Sequence, residues 1–180
     1  MEKLKNTKTE KNLHEAFAGE SMARNKYTYF AGKAKKEGFE QIAEFFQETA
    51  DNEKEHAKIW FKILNGGDLS STTDNLKSSA EGENFEHTVM YARMAKEARE
   101  EGFNDIAVLF EQVAKIEAHH EARYLNLMKN INDNAVFTRT EKQTWHCRNC
   151  GFIFENAKAP TLCPVCKHPQ SFFEILSTNF

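Results

Sequence analysis

The sequence predicts a mainly α protein, a four-helix bundle followed by a small metal-bound knuckle domain. Three observations predict it. Apolar residues recur with helical period up to about residue 131. The pattern repeats itself, because a displacement of 64 lays Glu37-Gly38-Phe39 on Glu101-Gly102-Phe103. All four cysteines fall between Cys147 and Cys166, so they belong to one local device. A chain of 180 residues has room for one ordinary domain and a small appendage. Its 24 basic and 27 acidic residues leave a net charge of −3, which gives no broad basic surface and excludes nucleic acid as the expected partner. No apolar run approaches the ~20 residues of a membrane span. The polar opening Met1–Asn12 carries no secretory signal, so the expected compartment is the cytoplasm, with no membrane partner.

The first helix carries Leu13, Ala16, Phe17, Glu20, Ala23, Tyr27, Phe30 and Ala34 on one face, and Gly38 turns the chain back. The second carries Ile42, Phe46, Thr49, Glu53, His56, Trp60 and Ile63 in steps of four and three, a seam expected to be buried. The polar stretch Asn65–Gly82 then reads as an extended crossover. At ~3.3 Å per residue it could run the length of a ~26-residue helix, about 40 Å, as a bundle with one long crossover requires. The third helix offers Glu83 and Glu86, and Gly102 makes the second turn. The fourth repeats the seam as Ile106, Phe110, Val113, Glu117, His120, Tyr124 and Leu127. A linker-like strip, NDNAVFTRTEKQT, leads into the tail, and the domains divide as 1–138 and 139–180.

Glu-x-x-His by itself is a weak signal in a chain rich in glutamate. Two copies in register on an apolar seam are a strong one, because an unpaired ionised group in a bundle core costs several kcal/mol or more. Glu20 and Glu53 lie at similar distances from Gly38, and Glu83 and Glu86 lie level with Glu117 about Gly102. Five carboxylates and two imidazoles therefore converge on one slab. Oxygen donors with a few nitrogens suit iron or manganese, and two Glu-x-x-His motifs point to two ions. Tyr27 and Tyr91 can each bring a hydroxyl near this cluster, as supports for the ligands. His14, His87 and His119 read as solvated or supporting residues.

The halves are not identical. Glu20 to Glu53 is 33 residues but Glu83 to Glu117 is 34, and the position matching Glu86 in the first repeat is Ala23. A one-residue π-type bulge between Glu83 and Gly102 would absorb the extra residue and keep both faces aligned.

In the tail, Cys147-x-x-Cys150 and Cys163-x-x-Cys166 form two knuckles, with Gly151 after the first and Pro164 inside the second. Four thiolates so spaced make a tetrahedral site for iron, or for zinc, which spacing does not separate. About 35 residues bury little apolar surface, so the metal must supply much of the folding energy.

The stretches AFAGESMARNKY, ETADNEKEHAK, AEGENFEHTVMY, AREEGF, IEAHHEARY and WHCRNCGF…CPVCKHP together resemble a rubrerythrin along essentially the whole chain. The resemblance implies a ferritin-like four-helix bundle with a rubredoxin-like domain behind it. It implies that Glu20, Glu53, His56, Glu83, Glu86, Glu117 and His120 bind a non-haem di-iron centre, with Glu53 and Glu117 bridging and Glu86 competing with His56 for one iron. It implies one iron on Cys147, Cys150, Cys163 and Cys166. Phe152 stands where a tyrosine is common, and Lys167 follows the last cysteine; neither departure removes a ligand.

The implied activity is a peroxidase, reduction of hydrogen peroxide to water in protection against oxidative stress. No glycine-rich nucleotide fingerprint is present, so electrons are expected from a separate flavoprotein reductase or rubredoxin. A homodimer or higher homo-oligomer is implied as well. The rival reading is a ferroxidase or iron-handling ferritin-like protein, against which the tail argues, because storage needs no internal electron relay. A non-catalytic reading puts structural zinc in the tail and a redox-inert metal pair in the bundle.

Overall fold

The computed structural model describes residues 3–179, and two compact units divide the chain, Met1–Ser70 and Ser71–Phe180. The first is a helical hairpin. Helix α1 (Lys8–Lys36) starts where the Thr7 side chain accepts a hydrogen bond from the Glu10 amide, and Lys33, Lys35 and Lys36 complement the dipole of its last turn. Gly38, at φ +83°, reverses the chain into α2 (Glu40–Leu64) as expected.

Alanine makes the hairpin interface. Ala43, Ala50 and Ala57 recur every seventh residue of α2 and are buried, as are Ala31 and Ala34 of α1. Small side chains let the backbones approach closely, so Ala50→Leu would overpack this seam at a cost of about 1–3 kcal/mol. Aromatic pairs close the flanks, with ring centroids 5.4 Å apart for Phe17–Phe61 and 5.6 Å for Phe30–Phe46.

The buried seam expected of α2 takes a different form. Glu53 and Trp60 are half-buried, whereas Ile42 is 50% exposed and Ile63 40%. Two helices cover only the stripe that each turns to the other, and alanines occupy that stripe. The metal-type residues lie on the adjoining face.

The second unit opens with a further correction. Only residues 65–71 separate α2 from α3 (Thr72–Phe85), so most of the expected extended crossover is helix. A local cap decides this: Ser71 Oγ accepts from the Asp74 amide at 3.1 Å and donates to the Asp74 carboxylate at 2.6 Å. That cap, worth about 1 kcal/mol, starts a helix that a polar composition concealed.

The predicted bulge is present. A π segment, Glu86–Met90, joins α3 to α4 (Tyr91–Glu100), and the Tyr91 amide reaches back to the Glu86 carbonyl. Glu20 therefore matches Glu83 across the repeat, while Tyr27 matches Tyr91 one residue later. The centroids of Tyr27–Phe46 stand 6.3 Å apart and those of Tyr91–Phe110 6.0 Å, the same contact in both units. Gly102, at φ +88°, turns the chain into α5 (Asn104–Asn132). Ala80, Ala95, Ala98 and Ala107 are the buried helical residues of this unit.

Half of the strip read as a linker is strand. Strand β1 (Thr138–Cys147) runs antiparallel between β2 (Ile153–Lys158) and β3 (Phe173–Ile175). The small core holds Trp145, Cys147, Ala159, Cys163 and Phe173. Trp145 is 0% exposed and its indole donates to the Asn156 carbonyl at 2.9 Å, which satisfies the one polar atom it buries.

Candidate metal centres

Each helical unit brings together three of the expected donors. In the first, Glu20, Glu53 and His56 place one ligand atom each within 4.8 Å of the others. His56 Nδ1 lies 2.8 Å from Glu53 Oε2 and 3.9 Å from Glu20 Oε2. In the second unit, Glu83, Glu117 and His120 do the same, with His120 Nδ1 at 2.7 Å from Glu117 Oε2 and 3.8 Å from Glu83 Oε2. The agreement to 0.1 Å makes the two triads copies of one arrangement. Two ligands bonded at ~2.1 Å to a common ion, at right angles, stand ~3 Å apart, so the Glu-x-x-His contact has the bite of a chelate. The donor set fits iron, one ion at each triad.

Electrostatics in the second triad favour a bound cation. Burial, then the neighbouring Glu117 charge, holds the Glu83 carboxyl above its ordinary range. Burial and the charges of Glu86, Glu117 and Glu83 likewise push the Tyr91 phenol up. Carboxylates crowded in this way repel one another until a cation joins them. Glu86 itself lies outside the triad, at the first residue of the π segment.

One network escaped sequence reasoning. Glu121 accepts from Asn84 at 2.9 Å, and its other oxygen lies 2.7 Å from His87 Nε2, so α3 and the π segment are fastened to α5 beside the triad. The hydrogen bond from His87 holds the Glu121 carboxyl below its ordinary range. A signal was available: across the repeat Glu121 matches Ala57, which is buried against α1. A carboxylate where the first repeat has a buried alanine needs a partner, and His87, in the π segment, supplies it.

The tail forms a third centre. Cys147 Sγ and Cys166 Sγ are 3.7 Å apart, as are Cys150 Sγ and Cys163 Sγ. The distance is too long for a disulfide and equals the edge of a tetrahedron with metal–sulfur bonds of ~2.3 Å. The two knuckles are alike: the Gly151 amide donates to the Cys147 carbonyl at 2.9 Å and the Lys167 amide to the Cys163 carbonyl at 3.0 Å. Both residues sit in the left-handed region, Gly151 at φ +79° and Lys167 at φ +61°. Without metal the thiols disagree. The Phe152 amide draws the Cys150 thiol down, but burial and the neighbouring thiols push it up to about 12. The His168 amide brings Cys166 down to about 6. Metal must then displace protons to gain four thiolates.

The described helices include none long and apolar enough to cross a membrane. Comparison with known proteins identifies the family. The rubrerythrin family profile matches residues 11–128 and again 74–147, and the profile of the rubredoxin-like domain of rubrerythrin matches residues 145–174. Rubrerythrin of Porphyromonas gingivalis is 53% identical over 188 residues, 98% of this chain and 94% of that one. Rubrerythrin of Nitratidesulfovibrio vulgaris is 49% identical over 191 residues, with all of both chains covered. A solved structure of partially reduced nigerythrin is 31% identical, with 94% of this chain and 87% of that one covered and a TM-score of 0.36.

Proposed function

The chain belongs to the rubrerythrin family, and from that premise we propose that it is a non-haem di-iron peroxidase that reduces hydrogen peroxide to water and protects the cell against oxidative stress. The observation that carries this reading is the joint presence of two matching Glu/Glu/His triads and a four-thiol site in one chain. When bound, an iron pair supplies the two electrons that cleavage of an O–O bond consumes, and a four-thiolate iron supplies them one at a time.

The residues divide the work. Glu20, Glu53 and His56 would hold one ion, and Glu83, Glu117 and His120 another. Each histidine turns Nδ1 to its carboxylates, so the imidazole must be deprotonated at that atom to bind metal. Glu86, held beside the triad by the π turn, is the fifth carboxylate available to the pair. Tyr91 keeps its proton among three carboxylates and so remains a hydrogen-bond donor at any physiological pH. Tyr27 holds the matching place in the first unit. Cys147, Cys150, Cys163 and Cys166 form the electron entry site.

Residues 1–138 are the peroxidase domain and 139–180 the electron-transfer domain, served in the cytoplasm by a separate donor protein, a rubredoxin or flavoprotein reductase. The ferroxidase alternative has no use for the tail. Steady-state peroxide consumption with a reductant tests the choice: the peroxidase turns over until one substrate is exhausted, whereas a ferroxidase stops once its iron is oxidised.

A further inference from the structure

An extra residue in a helix has no place of its own. Glu83 matches Glu20 at an offset of 63 and Tyr91 matches Tyr27 at an offset of 64, so the extra residue lies between them. Both keep their faces wherever in that interval the helix widens. The residues in between do not: one that passes from one side of the widening to the other turns by about 100° about the helix axis. Glu86 and His87 are the first two residues of the π segment, at this boundary. The direction of the Glu86 carboxylate therefore depends on what fixes the position of the bulge.

Glu121 spans the boundary. Its Oε1 accepts from Asn84 Nδ2 at 2.9 Å, in the last turn of α3, and its Oε2 lies 2.7 Å from His87 Nε2, in the π segment. One carboxylate on the regular helix α5 thus holds both sides of the place where the turn widens. The side chains of His87 and Glu121 are 19% and 22% exposed, so solvent competes little for their contact. The Thr88 hydroxyl adds a local tie, donating to the Asn84 carbonyl at 2.6 Å. Asn84, His87 and Glu121 are the chain neighbours of Glu83, Glu86 and His120. Neighbours on a helix point about 100° apart, so the tether stands beside the donors without joining them.

The first repeat lacks the bulge and the tether together. Helix α1 runs uninterrupted from Lys8 to Lys36. The position matching Asn84 is Ser21, whose hydroxyl is spent on the Phe17 carbonyl of its own helix at 2.7 Å, and the position matching Glu121 is the buried Ala57. A regular helix needs no such tie, because its own hydrogen-bond ladder aims every side chain. A π turn, whose Tyr91 amide reaches five residues back to Glu86, does need one. On the reading that Glu86 is the fifth carboxylate available to the iron pair, we propose that Glu121 is its positioning residue: through Asn84 and His87 it fixes where the π turn falls and so holds the Glu86 carboxylate toward the second triad.

Iron-loaded, full-length protein tests the proposal with two readouts besides turnover. Glu121→Ala copies the first repeat and preserves helix propensity. Glu121→Gln keeps a carbonyl oxygen for Asn84 and an amide N–H for His87. Amide hydrogen exchange at residues 86–91 should quicken about tenfold in Glu121→Ala and return to the wild-type rate in Glu121→Gln. His87→Ala breaks the same bond from its other end and should behave as Glu121→Ala does. The second readout is the midpoint potential of the bundle iron. A carboxylate favours the more highly charged ferric state, so Glu86→Ala should raise the potential. Glu121→Ala should raise it too, Glu121→Gln should restore it, and the double variant Glu86→Ala with Glu121→Ala should match Glu86→Ala alone. Unchanged exchange at residues 86–91, a potential that responds to Glu86→Ala but not to Glu121→Ala or His87→Ala, or shifts that add in the double variant would overturn the positioning role alone. A potential that Glu86→Ala itself leaves unchanged would overturn the reading of Glu86 and the proposal with it.

Discussion

His120 Nδ1 lies 2.7 Å from Glu117 Oε2 one turn earlier in α5, and His56 stands in the same relation to Glu53 in α2, at 2.8 Å. Without metal such a pair is a charge-assisted hydrogen bond; with metal it is a two-point chelate. The same contact recurs beside a second carboxylate in both units, Glu20 in one and Glu83 in the other, so each triad gathers two carboxylates and an imidazole within reach of one ion.

Glu83 gives this a sign that can be measured. Its folded-state pKa is raised, by burial first and then by Glu117. A raised group contributes stability that is present below its unfolded value, about 4.3, and lost as pH rises through the folded value. Charged Glu83 therefore weakens the metal-free protein at neutral pH. Glu83→Gln should raise the melting temperature of chelator-treated protein at pH 7, lose that advantage near pH 4, and impair iron loading. A lower melting temperature at pH 7 would contradict the assignment.

Glu86 tests the fifth carboxylate. It lies outside the triad, and alanine is a better helix former, so Glu86→Ala should leave the melting temperature within a few degrees and the iron content unchanged. Peroxide turnover should fall by about tenfold or more, the order of about 1.4 kcal/mol in the barrier. Unchanged turnover would remove Glu86 from the reaction.

Deleting Thr88, an exposed residue of the π segment, restores the residue count of the first repeat. The third helix should become regular, with Glu83 and Tyr91 still matching Glu20 and Tyr27, while Glu86 and its neighbour His87 shift from their present places. The deletion should reproduce the kinetics of Glu86→Ala in a folded protein. Wild-type turnover would mean that the bulge plays no part in the chemistry.

What the sequence revealed follows from these positions. The Glu-x-x-His motifs, the glycine turns and the π segment were legible because a repeated pattern exposes any residue that breaks register. The start of α3 was not, because one serine and one aspartate outweigh a run of polar residues that looks like linker. The Glu53 and Glu117 faces were placed on the right stripe, but their burial was misjudged. Periodicity names an apolar face without saying which element covers it, and here alanines at 43, 50 and 57 take the intrachain contact. The pairing of His87 with Glu121 joins residues 34 apart and needed coordinates to find.

The tail predicts a separation of two activities. Cys150→Ser removes one of four thiols at the edge of the site and should bleach the iron–thiolate colour and abolish donor-driven peroxide turnover. Pre-reduced protein should still reduce one equivalent of peroxide per iron pair. Acid should release tail metal from the wild type as protons compete with the metal for the thiolates. Donor-driven turnover that survives in Cys150→Ser would place electron entry elsewhere.

The most direct measurement is metal analysis of protein purified without oxygen, followed by peroxide titration of its reduced form under visible spectroscopy. Three irons per chain and oxidation of the bundle pair by one equivalent of peroxide, with water as product, are the predicted result. Zinc at the four cysteines, or a helical domain whose iron stays reduced when peroxide is added, would contradict it.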